Sequence, residues 1–275
     1  MKYESLDILL SKAQGSLKGP LALVICESAF LAVETTDWLS KCGFRTIIAV
    51  GAVGDVFEQS ETVMAAPANF ATPDRQAKIA NSVSNAVAGQ WMLVCFSGEF
   101  IFYPHIETRC IADFTDFLAA ERRTSASSYA IDIYSDALGR DDEAFDLEEV
   151  YFDSQGWYGF EREGRQADIY GGLGWRFEEY TLRNMFRINR PALFVGGATL
   201  REDLWLTEEE GNTLSCPWHH NPTFALMSVR RARALRAHPK FSQGVPTFMW
   251  PNSERFEWKS EQLLSHGLIE QGQWL

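Results

Sequence analysis

Apolar positions along the chain fall into short continuous runs and longer stretches with helical spacing, and their alternation predicts the first part of the fold. Leu21–Cys26 (LALVIC), Arg45–Val50 (RTIIAV) and Trp91–Phe96 (WMLVCF) read as strands buried on both faces, as in a parallel sheet. Between them, Ala29–Cys42 and Pro73–Ala88 carry helical spacing. In the former, Leu31, Trp38 and Leu39 face inward; Gly43 and Gly89 end the two helices. This β-α-β-α-β order predicts an α/β fold with a doubly wound, mostly parallel sheet flanked by helices. Ligands of such sheets bind beyond the carboxyl ends of the strands, here near Glu27, Gly51–Asp55 (GAVGD) and Ser97–Glu99.

The remaining pattern is less regular. Ser5–Ala13 reads as a short amphipathic helix and Gly15–Pro20 as a turn. Phe100–Tyr103 reads as an extended segment closed by Pro104, Ile111–Arg123 as a helix, and Ser128–Tyr134 and Pro191–Val195 as strands. Tyr151–Trp175, rich in Gly and aromatics, predicts irregular turns or a hairpin. The acidic stretch Arg140–Glu149 predicts a solvated loop or helix face rather than a metal site. Met227–Ala237 and Arg255–His266 predict helices. With no repeat, low-complexity tract or linker, residues 1–275 read as a single domain.

Composition narrows the function classes. A 275-residue chain with 46% hydrophobic and 23% charged residues can build a sizeable core, and its nine Trp and nineteen Phe suit either a lined cleft or an aromatic interior. A net charge of −12 repels phosphate backbones, which argues against nucleic acid as a partner. Cys26, Cys42, Cys95, Cys110 and Cys216 form no CxxC pair, a pattern of reduced thiols that predicts a cytoplasmic protein. Met1–Leu10 lacks the apolar core of a signal peptide, and the apolar runs are too short to span a bilayer, so membrane contact is expected to be peripheral.

Four stretches, in order, resemble family 2-type glycosyltransferases. Val24–Val56 is similar to that family's opening strand, "NE"-like turn, helix with Glu and Trp, and strand ending in a nucleotide loop. Gln90–Pro104 (QWMLVCFSGEFIFYP) resembles its "W, apolar run, DxDEF, apolar, YP" segment. Ala130–Asp136 resembles its "(L/M)DMYSD" strand, and Arg255–Ile269 its "RYE(D)SAQL…GLM" tail. The resemblance implies a GT-A fold, Rossmann-like, with residues 20–104 as a nucleotide-binding half and residues 105–275 as an acceptor half. It implies a nucleotide-diphosphate sugar and a glycan or lipid-linked acceptor as partners.

The departures from that pattern fall on the donor site. A DxD motif presents two carboxylates to Mg²⁺ or Mn²⁺, hard cations that prefer oxygen and neutralise the departing diphosphate. Here the aligned tripeptide is Phe96-Ser97-Gly98, and only Glu99 and Phe100 of the "EF" remain. Mg²⁺ or Mn²⁺ is therefore weakly supported, no metal ligand is assigned and no other cofactor is expected. The "NE" turn is Cys26-Glu27, the nucleotide loop keeps only Asp55, and the His of an "LLHFKF"-like segment is absent near Ala225–Val229. Glu27, Asp55, Ser97, Glu99 and Arg176 are the expected nucleotide-sugar contacts. A metal-free route needs arginines to hold the diphosphate; the candidates are Arg176, Arg183, Arg187 and the cluster Arg230–Arg236, whose bland alternative is a solvated basic helix face.

In an inverting transfer a carboxylate or His takes the acceptor hydroxyl proton while the sugar passes through an oxocarbenium-like state. Asp132, inside the otherwise apolar AIDIY, is the first candidate base; the alternative is the solvent side of an edge strand. Asp136 follows at the strand end, where a turn role competes. His219, His220 and His105 are further candidates, and a Cys216/His219/His220 metal site has no second cluster behind it. The GAVGD loop lacks GxGxxG spacing, which argues against a dinucleotide. Two readings stand: a glycosyltransferase working without a DxD-bound metal, or an inactive GT-A-fold pseudoenzyme that binds or regulates. A third, an unrelated small-molecule-binding α/β protein, stays behind them.

Overall fold

A computed structural model describes residues 1–13, 15–53, 55–57, 62–70, 72–126, 128–140, 144–162, 166–180, 192–207 and 222–274. Its main sheet is built from β1 (Leu21–Cys26), β2 (Thr46–Gly51), β3 (Val63–Pro67) and β4 (Trp91–Phe96), all parallel in the spatial order β3-β2-β1-β4. Two short strands extend it beyond β4: β11 (Leu193–Val195), antiparallel to β4, then β6 (Ser125–Ala126), antiparallel to β11. The continuous apolar runs are explained by two-sided burial. In β1, Ala22, Val24 and Cys26 enter one core, and Leu21, Leu23 and Ile25 enter the core on the opposite face.

The helices cover both faces. α2 (Ala32–Lys41) and α4 (Ile111–Ala120) line the first core, while α1 (Leu6–Ala13) and α3 (Pro73–Ala86) line the second. β3 lay hidden in the sequence because VMAAP is short, alanine-rich and ends in proline. Its outer edge is covered by residues 1–3, which pair alongside it through Tyr3 N–H to Ala65 O and Ala65 N–H to Met1 O, both at 2.8 Å.

A second, five-stranded sheet begins where the first ends. β4 turns through Ser97-Gly98 directly into β5 (Glu99–Phe102), which pairs antiparallel with β12 (Phe224–Ser228). β12 runs parallel to β7 (Ser128–Tyr134), followed outward by β8 (Tyr151–Asp153) and β13 (Ser253–Arg255). Phe224 and Leu226 point into the core shared with the main sheet, while Ala225 and Met227 point into a third core under α6 (Arg230–Ala237), α7 (Pro239–Gly244) and α8 (Ser260–Ser265). The expected hairpin is β9 (Tyr158–Arg162) with β10 (Gln166–Tyr170), and it leads into the short helix α5 (Gly172–Arg176).

Two predicted helices lose their first residues to a strand. Met227 and Ser228 complete β12 before α6 starts, and Arg255 closes β13 five residues before α8. In both cases the neighbouring strand claims the first residues by ladder pairing. α8 then starts at Ser260, whose Oγ donates to Glu107 at 2.8 Å.

Candidate functional site

The carboxyl ends of β1 and β4 meet the start of α6. The turn between the sheets is locked from three sides: Ser97 N–H donates to Ile25 O at 3.0 Å, Gly98 N–H to Thr35 Oγ1 at 2.8 Å, and Val229 N–H to Gly98 O at 3.1 Å. Gly98 has φ +80°, and a Cβ there would lie 2.5 Å from Val229 Cγ2, so glycine is required for the close approach. That approach delivers Arg230 to the strand ends.

Arg230 sits in a three-sided seat. Its Nη2 is 2.9 Å and its Nε 3.3 Å from Glu27 Oε2, its Nη1 is 3.7 Å from Glu99 Oε1, and its Cζ lies 3.5 Å from the centroid of the Phe96 ring. Glu99 is buried, and its Oε2 accepts from Phe96 N–H at 2.9 Å. One turn along α6, Arg233 donates to Ser28 Oγ at 3.3 Å and covers the Phe30 ring at 4.1 Å. The cluster on α6 is thus not a solvated basic face: Arg231 and Arg236 are buried, and Arg230 and Arg233 meet the strand ends.

This donor set does not fit Mg²⁺ or Mn²⁺. A hard divalent ion needs several oxygens directed at one point. Here a phenyl ring stands at the aligned DxD position, and the two carboxylates nearest it face a guanidinium already in place. Among the described residues no group of three His, Cys, Asp or Glu side chains is arranged to hold a metal.

A second constellation lies in the neighbouring sheet. Glu99, Ser228 and Asp132 are register partners across β5, β12 and β7, which puts the three side chains in one row on one face. Asp132 is buried, pairs with Arg231 Nη1 at 3.0 Å and accepts from Leu173 N–H at 3.0 Å, fastening α5 to β7. Burial pushes its carboxyl above the usual range, against the pull of Arg231.

Nearby, Asp153 Oδ1 accepts from the Tyr134 hydroxyl, from Arg176 Nη1 at 2.9 Å and from Trp250 Nε1 at 2.8 Å. Its Oδ2 is buried with no hydrogen-bond partner among the described residues, and burial raises its pKa as well. Arg176 is enclosed by the rings of Tyr134, Phe177 and Trp250.

The structure therefore sorts the expected residues. Glu27 and Glu99 converge on Arg230, while Ser97 lies in the turn between β4 and β5 with its N–H on Ile25 O. Asp55 does not join them: its side chain is 80% exposed and pairs with Lys2 at 2.6 Å. Asp132 and Arg176 belong to the buried constellation. Asp136 anchors a loop, accepting from Thr247 Oγ1 at 2.6 Å and from Phe248 N–H at 2.9 Å. His105 has φ +61° and a buried Nε2 with no hydrogen-bond partner among the described residues, beside Trp274. His219, His220, Cys216, Arg183 and Arg187 lie outside the described residues.

Sequence reasoning named Arg230 only within its cluster and missed Asp153. The available signals were the Arg-Arg pair directly after the strand FALMS, and a lone Asp closing the strand YFD.

No family model matches the chain, and no curated protein does. Among solved structures, the chain is similar to a protein assigned as a glucose-1-phosphate thymidylyltransferase from Bacillus anthracis, in complex with sucrose. The identity is 9% and the TM-score 0.33, over 64% of this chain and 69% of that one. It is also similar to residues 1–349 of TarS from S. aureus, at 12% identity and TM-score 0.33, over 71% of this chain and 53% of that one. The chain thus spans about half of the TarS fragment. No helix of the described residues is long and apolar enough to cross a membrane.

Proposed function

We propose that this chain is a glycosyltransferase-type protein that binds a nucleotide-diphosphate sugar at the carboxyl ends of β1 and β4 without a DxD-bound metal, and passes the sugar to a glycan or lipid-linked acceptor. The observation that carries the reading is the meeting of Glu27, Glu99 and Arg230 where β1 and β4 end and the second sheet begins. A doubly wound sheet takes its ligand at that crevice. Asp132, on the strand two places from Glu99, is the candidate base, and its raised pKa suits a group that accepts a proton from a hydroxyl. The described cysteines are free, with Cys26, Cys42 and Cys95 buried, which supports a cytoplasmic setting.

A second reading, a binding or regulatory module without turnover, is favoured by one observation: Asp132 is only 3% exposed and committed to Arg231 and α5. Calorimetry against uridine, guanosine and cytidine diphosphates and their sugar conjugates, followed by an assay for sugar release, separates the two. Binding with release that Asp132→Asn abolishes in a folded variant supports the transferase. Binding without release selects the module, and no binding of any nucleotide removes both.

A further inference from the structure

We infer that Asp153 is a positioning residue for Asp132: the two carboxyls face each other across β7 and β8 and hold one proton between them, which sits on Asp153 and leaves Asp132 an anion. The role of Asp132 as a base rests on the proposed transferase reading; the shared proton does not.

The ladder of the second sheet sets the geometry. β7 and β8 pair Ile133 with Phe152 and Tyr134 with Tyr151, so the next position sets Asp132 opposite Asp153. Ser253 pairs with Asp153 on its other side. The row that begins with Glu99, Ser228 and Asp132 thus continues through Asp153 to Ser253, one polar residue from each of the five strands. Opposite residues of an antiparallel pair hold their Cβ atoms about 4.5–5.5 Å apart on one face. Trp157 touches both ends of the pair. Its Nε1 donates to Asp153 O at 2.7 Å, and its ring meets Asp132 Oδ2 around Gly172, where a Cβ would lie 3.0 Å from the ring and 2.8 Å from the oxygen.

Two buried carboxyls set opposite each other do not ionise independently, and the first proton goes to the one that loses least by taking it. Asp132 Oδ2 accepts from Arg231 Nη1 and from Leu173 N–H, which favour its charged form. Asp153 Oδ1 accepts from Tyr134, Arg176 and Trp250, but its Oδ2 is buried with no hydrogen-bond partner among the described residues. A proton on that Oδ2 displaces none of these donors, and an unmatched neutral oxygen costs less in the interior than an unmatched charged one. Arg176 keeps its support when Asp153 is neutral: Oδ1 still accepts from it, its Nη2 donates to Phe248 O, and the rings of Tyr134, Phe177 and Trp250 enclose it. Burial raises both carboxyls, and the charge of Asp153 adds to the rise at Asp132. With Asp153 neutral that addition is gone, and Asp132 stays ionised and able to take a proton.

Infrared difference spectroscopy of the full chain, titrated in light and heavy water, reads the carbonyl stretch of a protonated carboxyl directly. The wild type is expected to show such a band at neutral pH, isotopic labelling of the aspartate carboxyls to shift it, and Asp153→Asn to remove it. Asp132→Asn takes away the opposing charge, so the pH at which the band disappears is expected to fall by about one unit or more, a tenfold change in proton affinity. Burial alone does not respond to that variant, which separates a shared proton from a merely desolvated group. A wild-type spectrum without the band at neutral pH, or a band that aspartate labelling leaves in place, overturns the inference with no variant needed. A band that survives Asp153→Asn overturns the assignment, and a midpoint that Asp132→Asn leaves unchanged overturns the pairing. None of these spectra needs a nucleotide. The expected band in a chain that binds no nucleoside diphosphate keeps the carboxyl pair and removes the transferase reading; nucleotide binding without the band does the reverse.

Discussion

The chain sets arginine on carboxylate in two neighbouring places, and the surroundings differ. At the ends of β1 and β4, Arg230 bridges a buried Glu99 and a half-exposed Glu27. In the second sheet, Arg231 on Asp132 and Arg176 on Asp153 are enclosed, with side-chain exposures of 10% or less on every member. Water decides what each pair can do. A pair open on one side can exchange its carboxylate for another anion at small cost. A closed pair cannot, because a lone charge would be left in the interior. Exchange of one anion for another therefore belongs at the strand ends.

The largest effect that would sharpen this contrast is Asp153→Ala. It strands the buried Arg176 and removes the acceptor for Tyr134 and Trp250. A loss of about 4 kcal/mol is expected in urea unfolding; a loss below about 1 kcal/mol would mean that the pair is not closed. Trp250→Phe keeps the ring stack on Arg176 but deletes one donor to Asp153. A loss of about 1.5 kcal/mol is expected in the same assay.

The pH dependence comes next. Asp153 has a pKa raised by burial, so its folded value exceeds the unfolded one. Its contribution to stability is then fully present below the ordinary carboxylate value and is lost as pH rises through the folded value. Unfolding free energy measured upward from about pH 4 should therefore carry a downward contribution that Asp153→Asn removes; an identical slope in the variant would refute the assignment. The smallest effect is expected at the surface. Asp55→Asn, at the exposed pair with Lys2, should shift stability by less than about 1 kcal/mol and leave nucleoside diphosphate affinity unchanged. A marked loss of affinity would return Asp55 to the nucleotide loop.

The main sheet was legible because its strands are buried on both faces and write unbroken apolar runs such as LALVIC and WMLVCF. In the second sheet the strand Ser128–Tyr134 and the extended segment at Phe100–Tyr103 were legible, but not the sheet they join: its strands are spread from Glu99 to Arg255, and no local pattern records that Ser228 pairs with both Glu99 and Asp132. Within the site, Glu27, Ser97 and Glu99 could be read from their places at strand ends. Arg230 lies about two hundred residues from Glu27, so their pairing is a property of the tertiary fold. Asp55 sits at a strand end too, yet residues 1–3 along β3 bring Lys2 to it.

The most direct test of a nucleotide site that works without a DxD-bound metal is electron paramagnetic resonance of Mn²⁺ titrated into the wild-type protein with a bound nucleoside diphosphate. The account predicts that the Mn²⁺ signal stays that of the ion on free nucleotide, while calorimetry gives the same nucleotide affinity in EDTA. A protein-bound Mn²⁺ signal that appears with the nucleotide, with affinity lost in EDTA, would contradict it.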